Sequence, residues 1–233
     1  MPRVFVVLGA SRGIGQATAQ ALAHPDVHLV LGARDLAALE EHAAVLRRAG
    51  ARVTPLHCDV RRPADVDGLI DQAARLTGQI DLLINSAGGA VVAPLEELAL
   101  EDWEQMLQVG LTGAFLSCRR AVAHMRPGGL IVNVASVAAR QTFPGWGAYA
   151  AAKAGLVAFS NVLREELRPR GIRVTVVLPA ATDTALWDRI PGDWNRANML
   201  QPADVGALIA RLAEQPAAMA TEELVVGHVA GRL

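Results

Sequence analysis

In the stretch AYAAAKAG, residues 148–155, the chain's single tyrosine, Tyr149, stands four residues before Lys153. On a helix, positions i and i+4 share a face, with Cβ atoms about 6 Å apart. A free phenol, with a pKa of about 10, is a poor acid or base at neutral pH. A neighbouring cation favours the phenolate and lowers that value, which suits proton exchange with a carbonyl or an alcohol. The alanines between the two leave room for a substrate, although alanine is also simply a good helix former. Thirteen residues upstream, Ser136 closes the apolar run LIVNVAS, so its hydroxyl can meet Tyr149 at the edge of a sheet. A tyrosine and a lysine at this spacing also occur as unrelated neighbours on a helix surface. The pair gains meaning from what accompanies it.

A second chemical signal is the loop LGASRGIG, with Gly9, Gly13 and Gly15. Glycines after a strand and before a helix let the backbone turn tightly and approach a phosphate, whose charge the helix amides favour. The spacing is GxxxGxG rather than the general dinucleotide fingerprint GxGxxG, and a purely structural strand-to-helix turn is the competing reading. The next strand runs out as LGARD, where an acid would suit a ribose 2′-hydroxyl and an arginine a 2′-phosphate. Arg34 stands there, and Arg12 lies inside the glycine loop. Two guanidiniums near one spot make charge-assisted bonds to a phosphate, while Asp35 reads as a helix cap. The expected cofactor is therefore NADP(H), with NAD(H) as the alternative, over two surface arginines that bind nothing.

These residues need a scaffold, and the chain alternates element types throughout. Short apolar, β-branched runs occur at 3–9, 27–33, 52–58, 80–85, 130–136, 172–179 and 223–229. They are continuous rather than alternating, as strands buried on both faces should be. Helical stretches such as DLAALEEHAAVLRRA and LEDWEQMLQVGLTGAFLSCRRAVAHM lie between them, and Pro63 suits the first turn of another. The expected fold is α/β, a doubly wound Rossmann-type sheet of about seven mostly parallel strands with helices on both faces. Such a fold binds ligands at the carboxyl ends of its strands. Residues 1–233 are expected to form one dinucleotide-binding and catalytic domain.

Composition narrows the alternatives. The chain has 233 residues, 52% hydrophobic, with a formal net charge of −1. A core is affordable and disorder is not indicated; no basic stripe suggests nucleic acid. Cys58 and Cys118 form no close-spaced pair, and the six histidines show no metal-ligand spacing. The apolar N-terminal run is too short for a signal peptide or a membrane span. The expectation is a cytoplasmic, metal-free protein without nucleic-acid or membrane partners.

Taken together, GASRGIG (9–15), CDV (58–60), NSAG (85–88), Ser136, YAAAK (149–153) and LPAATDT (178–184) resemble the short-chain dehydrogenase/reductase family, over nearly the full chain. The chain is similar to its 3-oxoacyl-carrier-protein reductases and carbonyl reductases. The resemblance implies that Tyr149 donates or accepts the proton, Ser136 steadies the substrate oxygen, and Lys153 binds the nicotinamide ribose and lowers the tyrosine pKa. It implies cofactor contacts from Gly9, Ser11, Arg12, Gly13, Ile14, Gly15 and Arg34 around the phosphates. It places Asp59 and Val60 near adenine, with Asn85, Ala87 and Gly88 along the cofactor, and Pro179, Thr182 and Thr184 near the carboxamide. Three positions depart from the pattern: Leu8 replaces threonine, Ala180 replaces glycine, and Gly110 replaces an asparagine given a part in a proton relay. Gly110 keeps the relay's backbone carbonyl but loses side-chain hydrogen bonds, so reduced but real turnover is expected.

Substrate signals are sparser. Trp146, Trp187 and Trp194, with Phe143, Leu186 and Ile190, fall where a substrate should lie, and 180–201 reads as a lid. An apolar lining suits a hydrophobic or aromatic carbonyl compound, against the alternative that the tryptophans only pack the lid down. Arg126, Arg140 and Arg189 are the cations that could meet an acyl-carrier protein. The apolar circumference of helix 145–167 and the C-terminal ELVVGHVAGRL suggest a symmetric homo-oligomer, a dimer or tetramer. The leading expectation is an NADP(H)-dependent oxidoreductase acting on a small-molecule carbonyl or secondary alcohol. Its rivals are a catalytically impaired NADP(H)-binding regulator and, last, a sugar-nucleotide epimerase, for which the chain is short.

Overall fold

The computed structural model describes residues 2–231. Seven strands form one sheet: β1 (Arg3–Leu8), β2 (Val27–Ala33), β3 (Arg52–His57), β4 (Leu82–Asn85), β5 (Leu130–Val134), β6 (Arg173–Pro179) and β7 (Glu223–Val226). Their order is β3-β2-β1-β4-β5-β6-β7, and every adjacent pair is parallel. The strand order reverses between β1 and β4, which opens a crevice at their carboxyl ends. Strands buried on both faces explain the unbroken apolar runs. In β1, Phe5 and Val7 pack into one core while Val4, Val6 and Leu8 pack into the other.

The helices divide accordingly. α1 (Gly13–Ala21), α2 (Leu36–Arg48) and α7 (Pro202–Glu214) contribute to the first core. α3 (Pro63–Arg75), α5 (Gly113–Val122) and α6 (Gly147–Leu167) contribute to the second. α4 (Leu100–Leu107) precedes α5. Leu8, which replaces a loop threonine, is 1% exposed and belongs to this second core.

Two sequence expectations need correction. The helix read through 100–125 is interrupted by a π turn at Gln108–Thr112, centred on buried Gly110. A Cβ at Gly110 would lie 3.1 Å from the Ala152 Cβ on α6, so a side chain there would require Ala152 to give by a few tenths of an ångström. The last strand, read as 223–229, ends at Val226.

Candidate active site

β1 runs into α1 through the glycine loop. Gly9 has φ +80°, and a Cβ there would fall 2.6 Å from the Ala87 backbone nitrogen. A Cβ on Gly15 would fall 2.3 Å from the Gly9 carbonyl oxygen. The spacing is thus set by backbone lying on backbone, which leaves a cradle without side chains at the amino end of α1. Gly13 adds a third turn at φ +59°. No side chain caps α1, whereas Asp35 caps α2 by accepting from the Ala38 amide at 3.1 Å. Uncapped amides at the end of a glycine loop fit a phosphate. Ser11 is half-buried in this loop, and Arg12 and Arg34 are exposed beside it. Arg12 lies 3.4 Å from the Asp35 carboxylate.

Asp59 and Asn85 are committed within the protein. Asp59 accepts from Arg61 Nη2 at 2.6 Å and from Nε at 3.0 Å. Those bonds hold its carboxyl below the usual range against the opposing effect of burial, with Arg34 contributing from farther away. Asn85 donates to Asn133 Oδ1 at 2.8 Å and accepts from Ser117 Oγ at 2.6 Å. Asn133 in turn donates to Ser160 at 2.8 Å. This buried chain ties β4, β5, α5 and α6 together beneath the crevice. What Asn85 has left for a cofactor is backbone, not its amide. Val60 packs against Gly113, where a Cβ would meet it at 2.9 Å. Ala87 adjoins Gly9, and a Cβ on Gly88 would lie 3.8 Å from Lys153 Nζ.

Ser136 follows β5 and opens a 3₁₀ turn at Val137–Ala139, its Oγ accepting from the Ala138 amide at 3.1 Å. Tyr149 lies in the first turn of α6, and its ring and Ser136 line the same cavity, close enough for the serine hydroxyl to favour the phenolate. Lys153 lies one turn on, 6% exposed, with Nζ 5.7 Å from the tyrosine ring centroid. It donates to the Val134 carbonyl at 2.7 Å. The three residues converge at the carboxyl edge of the sheet.

Their electrostatics reverse one expectation. Burial raises the Tyr149 phenol above its ordinary value, and the Ser136 hydroxyl only partly opposes this. Burial also lowers the Lys153 ammonium to about 8. Desolvation disfavours the charged form of each group, and Nζ is directed to a strand carbonyl. The phenol is therefore held protonated at neutral pH rather than made acidic.

A cavity of about 330 Å³ opens at this edge. Ser136, Tyr149, Ile14, Pro179, Thr182 and Thr184 form one part of its wall. Phe143, Trp146, Leu186, Trp187 and Trp194 form another. Ile190 is instead 5% exposed in the protein and outside the wall. Thr182 donates its hydroxyl to the Ala180 carbonyl at 3.0 Å, and Thr184 Oγ1 accepts from the Leu186 amide at 3.4 Å. Ala180 has no positive φ and donates to Val226 at 2.8 Å, so this departure from glycine strains nothing.

Several wall residues escaped the sequence reading. Val225, Gly227 and His228, assigned there to subunit contact, line the cavity, as do Gln141 and Asn198. Arg196 ties the 180–201 segment together, bonding Asp183 at 2.5 Å and also Asp188. The one signal for it was a basic residue following two acids in an otherwise irregular stretch. The cations offered for a carrier protein do not gather here: Arg140 pairs with Glu223 at 2.6 Å, and Arg126 lines a cavity at the opposite end of the sheet. Cys58 and Cys118 are buried, their thiols pushed up to about 12 by desolvation first, so neither is a nucleophile. Among the described residues no His, Cys, Asp or Glu cluster could hold a metal. No helix among them is long and apolar enough to cross a membrane.

A doubly wound sheet with a glycine cradle, and a Ser–Tyr–Lys group at one edge, defines a class of dinucleotide-dependent oxidoreductases. The sequence profile of short chain dehydrogenases matches residues 3–193. The chain is 37% identical to a D-threitol dehydrogenase of Mycolicibacterium smegmatis over 230 residues, covering 93% of this chain and 88% of the relative. It is 34% identical to a 3-oxoacyl-[acyl-carrier-protein] reductase of Synechocystis over 225 residues, covering 93% and 91%. A glycine betaine reductase of Emericella nidulans is 35% identical over 234 residues, 96% of this chain, but the chain spans only 18% of that longer protein. An alcohol dehydrogenase of Thermococcus sibiricus, solved with 5-hydroxy-NADP, superposes with a TM-score of 0.92 at 29% identity, covering 100% and 99%. The chain belongs to the short-chain dehydrogenase family, whose members are oxidoreductases acting on alcohols and carbonyls.

Proposed function

We propose that the protein is an NADP(H)-dependent oxidoreductase that interconverts a carbonyl compound and a secondary alcohol, with Tyr149 as general acid and base. The observation that carries this reading is that Ser136 and Tyr149 stand together in one cavity wall, with Lys153 one turn behind and its Nζ 5.7 Å from the tyrosine ring centroid. In reduction the phenol gives its proton to the substrate oxygen, and in oxidation it takes that proton back. Ser136 orients the oxygen, its own hydroxyl fixed by the Ala138 amide. Lys153 stabilises the tyrosinate left after proton transfer. The glycine cradle and the uncapped start of α1 fit a dinucleotide pyrophosphate, and Lys153 with Thr182 and Thr184 would hold the nicotinamide end. Bound there, the cofactor supplies or accepts the hydride.

A raised phenol suits the reducing direction at neutral pH, because the acid form is the one populated. Reduction should hold through neutral pH and fall in alkali, while alcohol oxidation should rise with pH. The deciding experiment is a carbonyl panel with NADPH and NADH followed by nicotinamide absorbance, with Tyr149→Phe alongside. Tight cofactor binding with no turnover of any carbonyl would favour the impaired regulator.

For NADP(H) over NAD(H), the support is Arg34, exposed and without an ion pair among the described residues, beside Arg12; the Thermococcus relative was solved with an NADP derivative. Arg34→Glu should raise KM for NADPH at least tenfold more than KM for NADH. A homo-oligomer is supported by exposed apolar side chains on neighbouring helices, Leu100, Trp103, Phe115 and Val162. Sedimentation as a monomer at micromolar concentration would refute it. Two buried free thiols accord with a reducing cytoplasm.

A further inference from the structure

We infer that the substrate is an uncharged ketone or secondary alcohol borne on a flat ring system, gripped by an aromatic wall that ends at Trp194. This inference deepens the oxidoreductase reading and rests on it. Four rings follow one another away from the reacting phenol. Tyr149 and Trp146 lie edge to face at 5.3 Å between centroids; Trp146 and Trp187 are 5.8 Å apart, and Trp187 and Trp194 are 4.8 Å apart. All four line the cavity. Such a run offers ring edges and faces to a planar guest at the separations aromatic pairs prefer.

The wall is fixed rather than adaptable. Trp187 donates its indole N–H to the Thr182 carbonyl at 3.0 Å, and Trp194 donates to Ile190 at 3.2 Å. Their polar atoms are spent on backbone, so a ligand meets apolar ring. Gly192, at φ +133°, lies against Trp194, where a Cβ would come within 3.0 Å of the ring. Arg196 pins the same segment through Asp183 and Asp188. A preformed surface costs little ordering on binding.

Among the described residues no lysine, arginine, aspartate or glutamate lines this cavity, and the one basic side chain there is His228. A carboxylate or phosphate on the substrate would lose its hydration there with no lysine or arginine among the described lining residues to pair with, only the His228 imidazole. The neutral polar groups are few, and the Gln141 and Asn198 side-chain amides have no hydrogen-bond partner among the described residues. They can serve an uncharged polar substituent.

The test compares three ketones with NADPH: a neutral bicyclic aryl ketone, its carboxylate-bearing analogue and a small acyclic ketone. The neutral ring ketone should exceed the carboxylate in kcat/KM by at least tenfold. Trp194→Leu and Gly192→Ala should each lower the ring-to-acyclic ratio of kcat/KM by about tenfold, the scale of one lost apolar contact. Equal or better use of the carboxylate, or ratios unmoved by both variants, overturns the inference. Binding provides a second readout independent of turnover. In a Trp103→Phe background, whose remaining tryptophans all line the cavity, a neutral naphthalene derivative should quench indole fluorescence saturably. Trp194→Leu should weaken that binding at least tenfold. Saturable quenching with no ketone reduced would sink the oxidoreductase reading yet keep the aromatic site; no saturable quenching would sink the site itself.

Discussion

The two ends of the sheet each carry a cavity, and they use charge in opposite ways. At the carboxyl end, a cavity of about 330 Å³ has no lysine, arginine, aspartate or glutamate in its wall among the described residues, the titratable groups there being Tyr149 and His228. At the amino end, about 280 Å³ is lined by Arg3, Arg126, Arg173 and Asp81. The charged end looks the more like a binding site, yet two of its charges, Arg173 and Asp81, are occupied in holding chain. Arg173 donates to the carbonyls of Gly128 at 3.2 Å, Gln215 at 3.3 Å and Met219 at 3.3 Å. Asp81 accepts from the Val4 amide at 2.7 Å and from Gln79 at 2.9 Å. The reactive end instead keeps its ionisable groups few and partly desolvated. Charge count is thus a poor guide to chemistry; perturbed groups in a cleft are the better one.

The largest effect should come from exchanging one group at each end. Tyr149→Phe removes the proton donor and should lower kcat/KM by about 10³-fold, within the range for general acid–base catalysis. Arg173→Met should leave kcat/KM within about twofold while costing about 1–3 kcal/mol of stability, because three carbonyls lose a donor. Steady-state kinetics and urea unfolding on both variants decide the matter. An Arg173→Met protein that unfolds normally but has lost turnover would break the comparison.

Next in size is Lys153, buried where stability would not put a cation. Its ammonium falls from 10.5 to about 8 on folding, so between those values the unfolded chain binds more protons. Stability should therefore rise with pH across that window, while below about pH 8 the full cost of burying the charge is carried. Lys153→Met should lose about 10²-fold in rate yet gain about 1–3 kcal/mol at pH 7, an upper scale set by 1.36 kcal/mol per pKa unit. The gain should vanish by pH 10.5 in denaturation curves. A variant less stable than the parent at pH 7 would mean that the bond to Val134 outweighs desolvation.

What could be read from the sequence followed how local each feature is. The glycine loop and the Tyr149–Lys153 spacing are fixed by turns and by one helical repeat, so they were visible. The doubly wound parallel sheet was visible too, because strands and helices alternate along the chain. A further signal lay unused: among 22 basic residues Lys153 is the only lysine, which marks the position as one where arginine will not serve. The pKa directions were not legible, because they depend on burial rather than on the neighbour's charge. Nor was the commitment of Asn85 to Asn133 and Ser117, whose partners lie 48 and 32 positions away. The place of Val225, Gly227 and His228 in the cavity wall was not legible, because an apolar terminal stretch reads equally well as an interface.

The smallest predicted effect concerns Gly110, where the reactive end departs from its family. The π turn forms around Gly110 all the same, so the absent asparagine is not required to form it. Sterically, the question is how a side chain would fit. A Cβ at Gly110 would approach Ala152 Cβ to 3.1 Å, and Ala152 directly precedes Lys153 on α6. Restoring asparagine should therefore press α6 away from the turn and shift the lysine before any relay benefit is felt. Gly110→Asn should cost about 1–3 kcal/mol as overpacking and lower kcat a few-fold. Adding Ala152→Gly, which removes the opposing methyl, should recover part of both losses, since residues in contact couple non-additively. A double-mutant cycle read by kcat and by urea unfolding measures that coupling. If Gly110→Asn alone matched the parent in stability and exceeded it in rate, the turn would have slack and the missing relay side chain would be the true deficit.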